Sequence, residues 1–223
     1  MVKRSGMRNI QTKIPTEQWV AATWDEYLQA IADISDENAR CYYNNKHLRI
    51  EMSPIGPAHS RDNGIIVIAV SIFGIAKLLP LNLLINCSYR KTGLQECQPD
   101  ASYYIGDRAQ LVTQGSSVVN LDRYPPPDLV IEVSDTTLAD DLGAKRLLYE
   151  TFGASEYWVV DVQNNQVFAF ACAEGGSKRI TESQVLPGLA IALLDEALLR
   201  SRQTDQTQVG VWLLSEFQAS DQT

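Results

Sequence analysis

A carboxylate in the middle of an apolar strand is the feature that most limits how this chain can fold. Residues 128–161, DLVIEVSDTTLADDLGAKRLLYETFGASEYWVVD, read as strand, turn, helix, strand. In the first of these strands Leu129, Val130, Ile131 and Val133 flank Glu132, so its charge stands on a pleated surface that is otherwise hydrophobic. An unpaired charge there is costly, and a fold that buries this strand must bring Glu132 a cation, a hydrogen-bond donor or a metal.

Asp128 is not its partner for a shared ion, because four residues of strand separate carboxylates by about 13 Å. Asp100 is the better candidate. It follows Pro99 and opens a second strand-like run, with Asp100, Ser102 and Tyr104 on one face and Ala101, Tyr103 and Ile105 on the other. Neighbouring strands lie about 5 Å apart, which sets Asp100 beside Glu132 if the two runs pair. Carboxylate oxygens at that spacing suit Mg²⁺ or Mn²⁺, hard cations that keep water, and the main-chain carbonyl of Val133 can complete the shell. Asp141, Lys145 and Tyr149 form one i, i+4, i+8 stripe on the following helix. If that stripe faces the site, Lys145 can orient a water attacking phosphorus and stabilise developing charge, with Asp141 as its anchor. Glu51 can reach the same place from an earlier hairpin. Plainer readings stand beside these: Glu132 as an edge-strand charge that blocks aggregation, Asp141 and Lys145 as a solvated helix pair, Ser134 and Thr137 as helix caps, and His59 as structural.

Around this unit the chain reads as one domain. Residues 1–18 form a polar, basic arm, 19–200 the folded domain, and 201–223 a C-terminal extension in which 209–217 is helix or strand. Thr23 and Glu26 make a capping box for a first helix. Residues 39–43 and 47–52 alternate around Asn44-Asn45 as a hairpin, and a long apolar helix runs over about 58–79. Residues 81–86, 99–105, 156–162 and 166–172 read as strands, and 138–152 and 193–200 as helices. Net charge is −8, which argues against attachment to nucleic acid through a broad basic surface but leaves room for a local basic cleft. Four cysteines without a C-x-x-C pair and only two histidines give a zinc site little support and fit a reduced compartment. The apolar run 64–76 is too short to span a bilayer, and no apolar stretch follows the basic start, so a cytoplasmic protein without membrane contact is expected.

The order and spacing of several pieces resemble a family of bacterial putative restriction endonucleases in the PD-(D/E)XK nuclease superfamily. The pieces are Arg49-Ile-Glu-Met-Ser-Pro54 with His59, Gln98-Pro-Asp100, Pro127-Asp-Leu-Val-Ile-Glu-Val-Ser134, Asp141-Leu-Gly-Ala-Lys145, Tyr149, Glu156-Tyr-Trp-Val-Val-Asp161 and Leu186-Pro-Gly188. The resemblance implies a restriction-endonuclease-like α/β fold, a central mixed β-sheet flanked by helices. It implies Mg²⁺- or Mn²⁺-dependent hydrolysis of DNA phosphodiester bonds, with Asp100 and Glu132 on the metal and Glu51 as a further acidic contributor. The superfamily places a lysine two residues after the glutamate; Ser134 stands there in this chain, and the resemblance implies Lys145 on the next helix as the substitute. Many such nucleases cut two strands as pairs, which implies a homodimer. The acidic net charge and the absent lysine at Ser134 favour another reading, a catalytically degenerate nuclease fold acting as a binding or dimerisation module.

Overall fold

The computed structural model describes residues 15–34, 39–112, 115 and 117–219. Most of the expected N-terminal arm, up to residue 14, lies outside the described residues. In chain order the elements are β1 (Val20–Ala21), α1 (Trp24–Asp33), β2 (Arg40–Asn44), β3 (His47–Glu51), α2 (Pro57–Ala76), β4 (Leu81–Ile85), β5 (Tyr89–Lys91), β6 (Gln95–Cys97) and β7 (Ala101–Ile105). They continue with β8 (Val119–Asn120), β9 (Leu129–Ser134), α3 (Leu138–Asp141), α4 (Ala144–Phe152), β10 (Glu156–Asp161), β11 (Gln166–Ala173), β12 (Gly176–Ile180), α5 (Ile191–Ser201) and α6 (Gln206–Ala219).

Local chemistry accounts for several boundaries. Thr23 caps α1 as expected: its hydroxyl accepts the Glu26 amide at 3.3 Å, and the Glu26 carboxylate accepts the Thr23 amide at 2.7 Å. The β2–β3 hairpin turns at Asn45 and Lys46, one residue later than expected, with both in the left-handed region (φ 46° and 59°) that matches the twist of a two-residue hairpin loop. The single helix expected over 138–152 is two. Gly143 adopts φ −109° and ψ −102°, and a Cβ there would stand 2.7 Å from the Ala139 carbonyl oxygen. Glycine alone tolerates that approach, so the chain kinks between α3 and α4. Gly153, at φ 94°, ends α4 in the left-handed cap expected of it.

The larger sheet runs β12-β11-β10-β9-β7-β4. Its β9 and β10 are parallel and joined through α3 and α4, while every other neighbouring pair is antiparallel. On one face Leu129, Ile131 and Val133 of β9 meet Ile65, Ala69 and Phe73 of α2, Leu194 and Leu198 of α5, and Val209, Leu213 and Phe217 of α6 in one core. The opposite face carries Val130, Tyr104 and Val159, covered by Leu148, Tyr149 and Phe152 of α4 and by Tyr42, Tyr89 and Cys97 of a second sheet. That second sheet, β1-β3-β2-β6-β5-β8, holds α1 through Tyr27 and Ala30 packed on Tyr43, Leu48 and Ile50. The expected central mixed sheet flanked by helices is therefore present, with a further six-stranded sheet over part of one face.

β9 lies in the interior of its sheet, so the edge-strand reading of Glu132 does not hold. Residues 209–217, open between helix and strand in the sequence, belong to helix α6. No helix among the described residues is long and apolar enough to cross a membrane.

Candidate active site

β7 runs antiparallel to β9 with Ala101 opposite Ile131, a register that carries Asp100 to the level of Glu132. Both carboxylates line one cavity of about 730 Å³, together with Arg40, Glu51, His59 and Lys145. Asp100 is 1% exposed and Glu132 2%, so neither is solvated in the ordinary way and each depends on its protein partners.

The two carboxylates are satisfied differently. Asp100 accepts the Val133 amide on Oδ2 at 2.7 Å and Arg40 Nη1 on Oδ1 at 2.6 Å, and His59 Nε2 lies 3.1 Å from the same Oδ1. Burial alone would raise its pKa, but His59, Arg40 and the Val133 amide outweigh burial and hold the carboxyl at about 2. Among the described residues Glu132 accepts the Tyr149 hydroxyl alone, on Oε1 at 2.7 Å, and its Oε2 stands 3.8 Å from Lys145 Nζ. Burial pushes its carboxyl well above the usual range; Lys145 opposes this, while the charges of Asp100, Asp141 and Glu51 reinforce it.

Lys145 is the hub. Its Nζ is 3.0 Å from Glu51 Oε1 and 3.0 Å from Asp141 Oδ1, and it sits 4.5 Å from the centre of the Tyr42 ring. Burial disfavours the ammonium, yet Glu132, Tyr42, Asp141 and Glu51 together hold it charged well above the usual lysine range. The kink at Gly143 does not break the stripe foreseen in the sequence: Asp141 and Lys145 still pair, Tyr149 still faces Glu132, and none of the three is a solvated surface group. Thr137 occupies the N-cap position of α3, but its hydroxyl donates to Asp141 Oδ2 at 2.5 Å, so it positions that carboxylate and does not cap the helix. Ser134 Oγ lies 3.4 Å from the Thr137 hydroxyl. Glu51 ends β3 and is gripped by Arg49 Nε at 2.8 Å. Burial opposes its charge, but Lys145 and Arg49 keep its carboxyl below the usual range.

Asp128 stands apart from this cluster. It accepts the Ile105 amide at 2.8 Å and pairs with Arg108, which fixes the entrance of β9. His59, read as structural, presents its imidazole to Asp100 in the cavity wall. Arg40 was not visible from the sequence as a site residue. Its signal lies in hairpin pairing, which sets Arg40 opposite Glu51 and so at the same end of the cavity. Tyr42, two residues on, supplies the ring under Lys145.

The donor chemistry suits a hard divalent cation. Glu132 is an oxygen donor whose charge the protein alone compensates poorly, and Asp100 and the Val133 main chain stand beside it. Among the described residues no three His, Cys, Asp or Glu side chains stand assembled as a ligand set. The fit therefore rests on two carboxylates with main-chain and water oxygens. Glu51 is already engaged by Lys145 and Arg49.

Comparison with known proteins gives two findings. The family model Uma2, described as putative restriction endonuclease, matches residues 24–205. A crystal structure of a putative nuclease belonging to DUF820 from Anabaena variabilis superposes with a TM-score of 0.53 at 18% identity, covering 79% of this chain and 98% of that one. At that identity the likeness is one of fold. No curated protein matches the chain.

Proposed function

The chain belongs to the Uma2 family of putative restriction endonucleases, and from that premise we propose that its cleft hydrolyses DNA phosphodiester bonds with Mg²⁺ or Mn²⁺ held by Asp100 and Glu132. One observation carries this reading: β7 and β9 bring those two carboxylates to one cavity beside a buried, charged lysine. A cation bound between them, with the Val133 carbonyl and water, would polarise the phosphate and acidify a bound water.

The protein's own groups divide the remaining work. Lys145 is held protonated, so it serves as hydrogen-bond donor and positive charge towards the attacking water or a phosphoryl oxygen, and not as a base. Glu51 and Asp141, each 3.0 Å from its ammonium, fix where that charge points. Tyr149 keeps one oxygen of Glu132 turned inward and leaves the other facing Lys145. Purified protein with Mg²⁺ or Mn²⁺ is expected to nick supercoiled plasmid, and Glu132→Gln to abolish nicking. Equal nicking by both proteins points to a contaminant and removes the assignment.

A second reading has a specific observation behind it. Arg40 and the Val133 amide each hold one oxygen of Asp100, so the protein's own donors stabilise this carboxylate without a metal, which favours a nuclease fold retained only for binding. In that case calorimetry with Mn²⁺ gives no heat that Asp100→Asn removes.

A further inference from the structure

Asp100 is held through both of its carboxylate oxygens. Its Oδ2 is committed to the Val133 amide at 2.7 Å, an interaction that ties β7 to β9 and is buried. The remaining Oδ1 is shared by Arg40 Nη1 at 2.6 Å and His59 Nε2 at 3.1 Å. An oxygen has two lone pairs, and both directions are taken. A divalent cation therefore takes Oδ1 only by displacing one of these neighbours. Arg40 carries a permanent charge, and two cations a few ångströms apart on one oxygen repel strongly where water is scarce. Arg40 is the group that leaves.

Its anchoring fixes where it goes. Nη2 of Arg40 donates to Asn86 Oδ1 at 2.9 Å, so the guanidinium stays on the cavity wall when Nη1 lets go of Asp100. The freed edge then faces the space beside Glu132 and Lys145, where the proposed substrate phosphate lies. A planar fork of N–H donors matches two phosphate oxygens, whereas an ammonium offers only a point charge. Four carboxylates, Glu51, Asp100, Glu132 and Asp141, crowd this centre, and a phosphate entering it needs such a counter-charge.

We propose that Arg40 is a latch with two partners: it holds Oδ1 of Asp100 until a cation binds there, and then turns to the substrate phosphate. The proposal rests on the metal reading of the site. It makes Arg40 a substrate-binding residue whose removal shifts two affinities in opposite directions, which loss of a merely structural ion pair does not do.

Arg40→Gln tests it by titration calorimetry with Mn²⁺ alone and by stopped-flow anisotropy of a fluorescent duplex oligonucleotide at saturating Mn²⁺. The variant is expected to bind Mn²⁺ about tenfold more tightly than the wild type and the oligonucleotide about tenfold more weakly. Equal Mn²⁺ affinity in the two proteins overturns the latch and leaves the metal site standing. No Mn²⁺ binding by either protein overturns both. Tighter Mn²⁺ with unchanged oligonucleotide affinity removes the phosphate contact. Should Arg40→Gln fail to fold, Arg40→Lys keeps the charge and the stem but cannot bridge Asp100 and Asn86. It must then show the same opposed shifts in smaller measure, and unchanged values in both assays overturn the proposal.

Discussion

Burial favours the neutral form of Glu132, and the charges of Asp100, Asp141 and Glu51 add to it against the pull of Lys145. A carboxyl whose folded pKa is raised contributes stability below its ordinary range, near 4.5, and that contribution is lost as pH rises towards the folded value. Glu132→Gln removes the loss. In the absence of divalent cations it is predicted to raise Tm at pH 8 by about 2–4 °C, the shift that roughly 1 kcal/mol makes in a domain of this size. At pH 4.5 it should leave Tm nearly unchanged, which calorimetry at the two pH values checks. Asp100 has the opposite sign. Its carboxyl is depressed from 3.8 to about 2, so its pairing with His59, Arg40 and the Val133 amide stabilises the fold above pH 3.8 and is lost as pH falls towards 2. Asp100→Asn should therefore cost stability at neutral pH and cost progressively less in acid. Lys145→Met strands Glu51, Asp141 and Glu132 without their shared cation. It is predicted to lower stability by about 3–5 kcal/mol in a urea titration.

Between α3 and α4 the backbone is held open by one missing Cβ. Gly143→Ala places a carbon 2.7 Å from the Ala139 carbonyl oxygen, a backbone atom that cannot swing away. The substitution is predicted to cost about 1–3 kcal/mol in chemical denaturation and to disturb the Asp141–Lys145 pair, lowering any nicking rate with it. The sequence could not show this kink, because the pattern of 138–152 is amphipathic throughout and the demand for glycine arises only where α4 closes on Ala139. It did show β9, since a six-residue apolar strand carrying one acid has few other readings. Strand spacing also removed Asp128 as a partner for Glu132 on one ion and left Asp100 as the candidate on condition that the two strands pair, which they do. Arg40 was hidden for the reason that exposes it in the structure: its place depends on the β2–β3 register and on the packing of one sheet over the other. β5, β6 and β8, with two or three residues each, carry too little alternation to be read at all.

At the scale of the molecule, the large sheet is clamped between the α2–α5–α6 layer and the second sheet, and the cleft opens where the sheets meet. The helical layer holds through Phe73 and Phe217, edge to face at 5.2 Å, and through Arg202, which grips Asp62 of α2 at 2.6 and 2.5 Å and Asn165 of the β10–β11 turn at 2.7 Å. Phe217→Ala is predicted to lower the free energy of unfolding by about 3–5 kcal/mol, read as a fall in the urea midpoint. Metal affinity should change little, because α6 packs on the face of the sheet opposite Glu132. With a net charge of −8, the molecule has no broad attraction for a polyanion, so the chemistry of the cleft depends on what cations it gathers locally. The most direct test is anomalous diffraction from crystals equilibrated with Mn²⁺. A single strong peak between the carboxylates of Asp100 and Glu132, with Arg40 withdrawn from Asp100 Oδ1, is the predicted result. An undisturbed Arg40–Asp100 pair with no peak between the two carboxylates would contradict it.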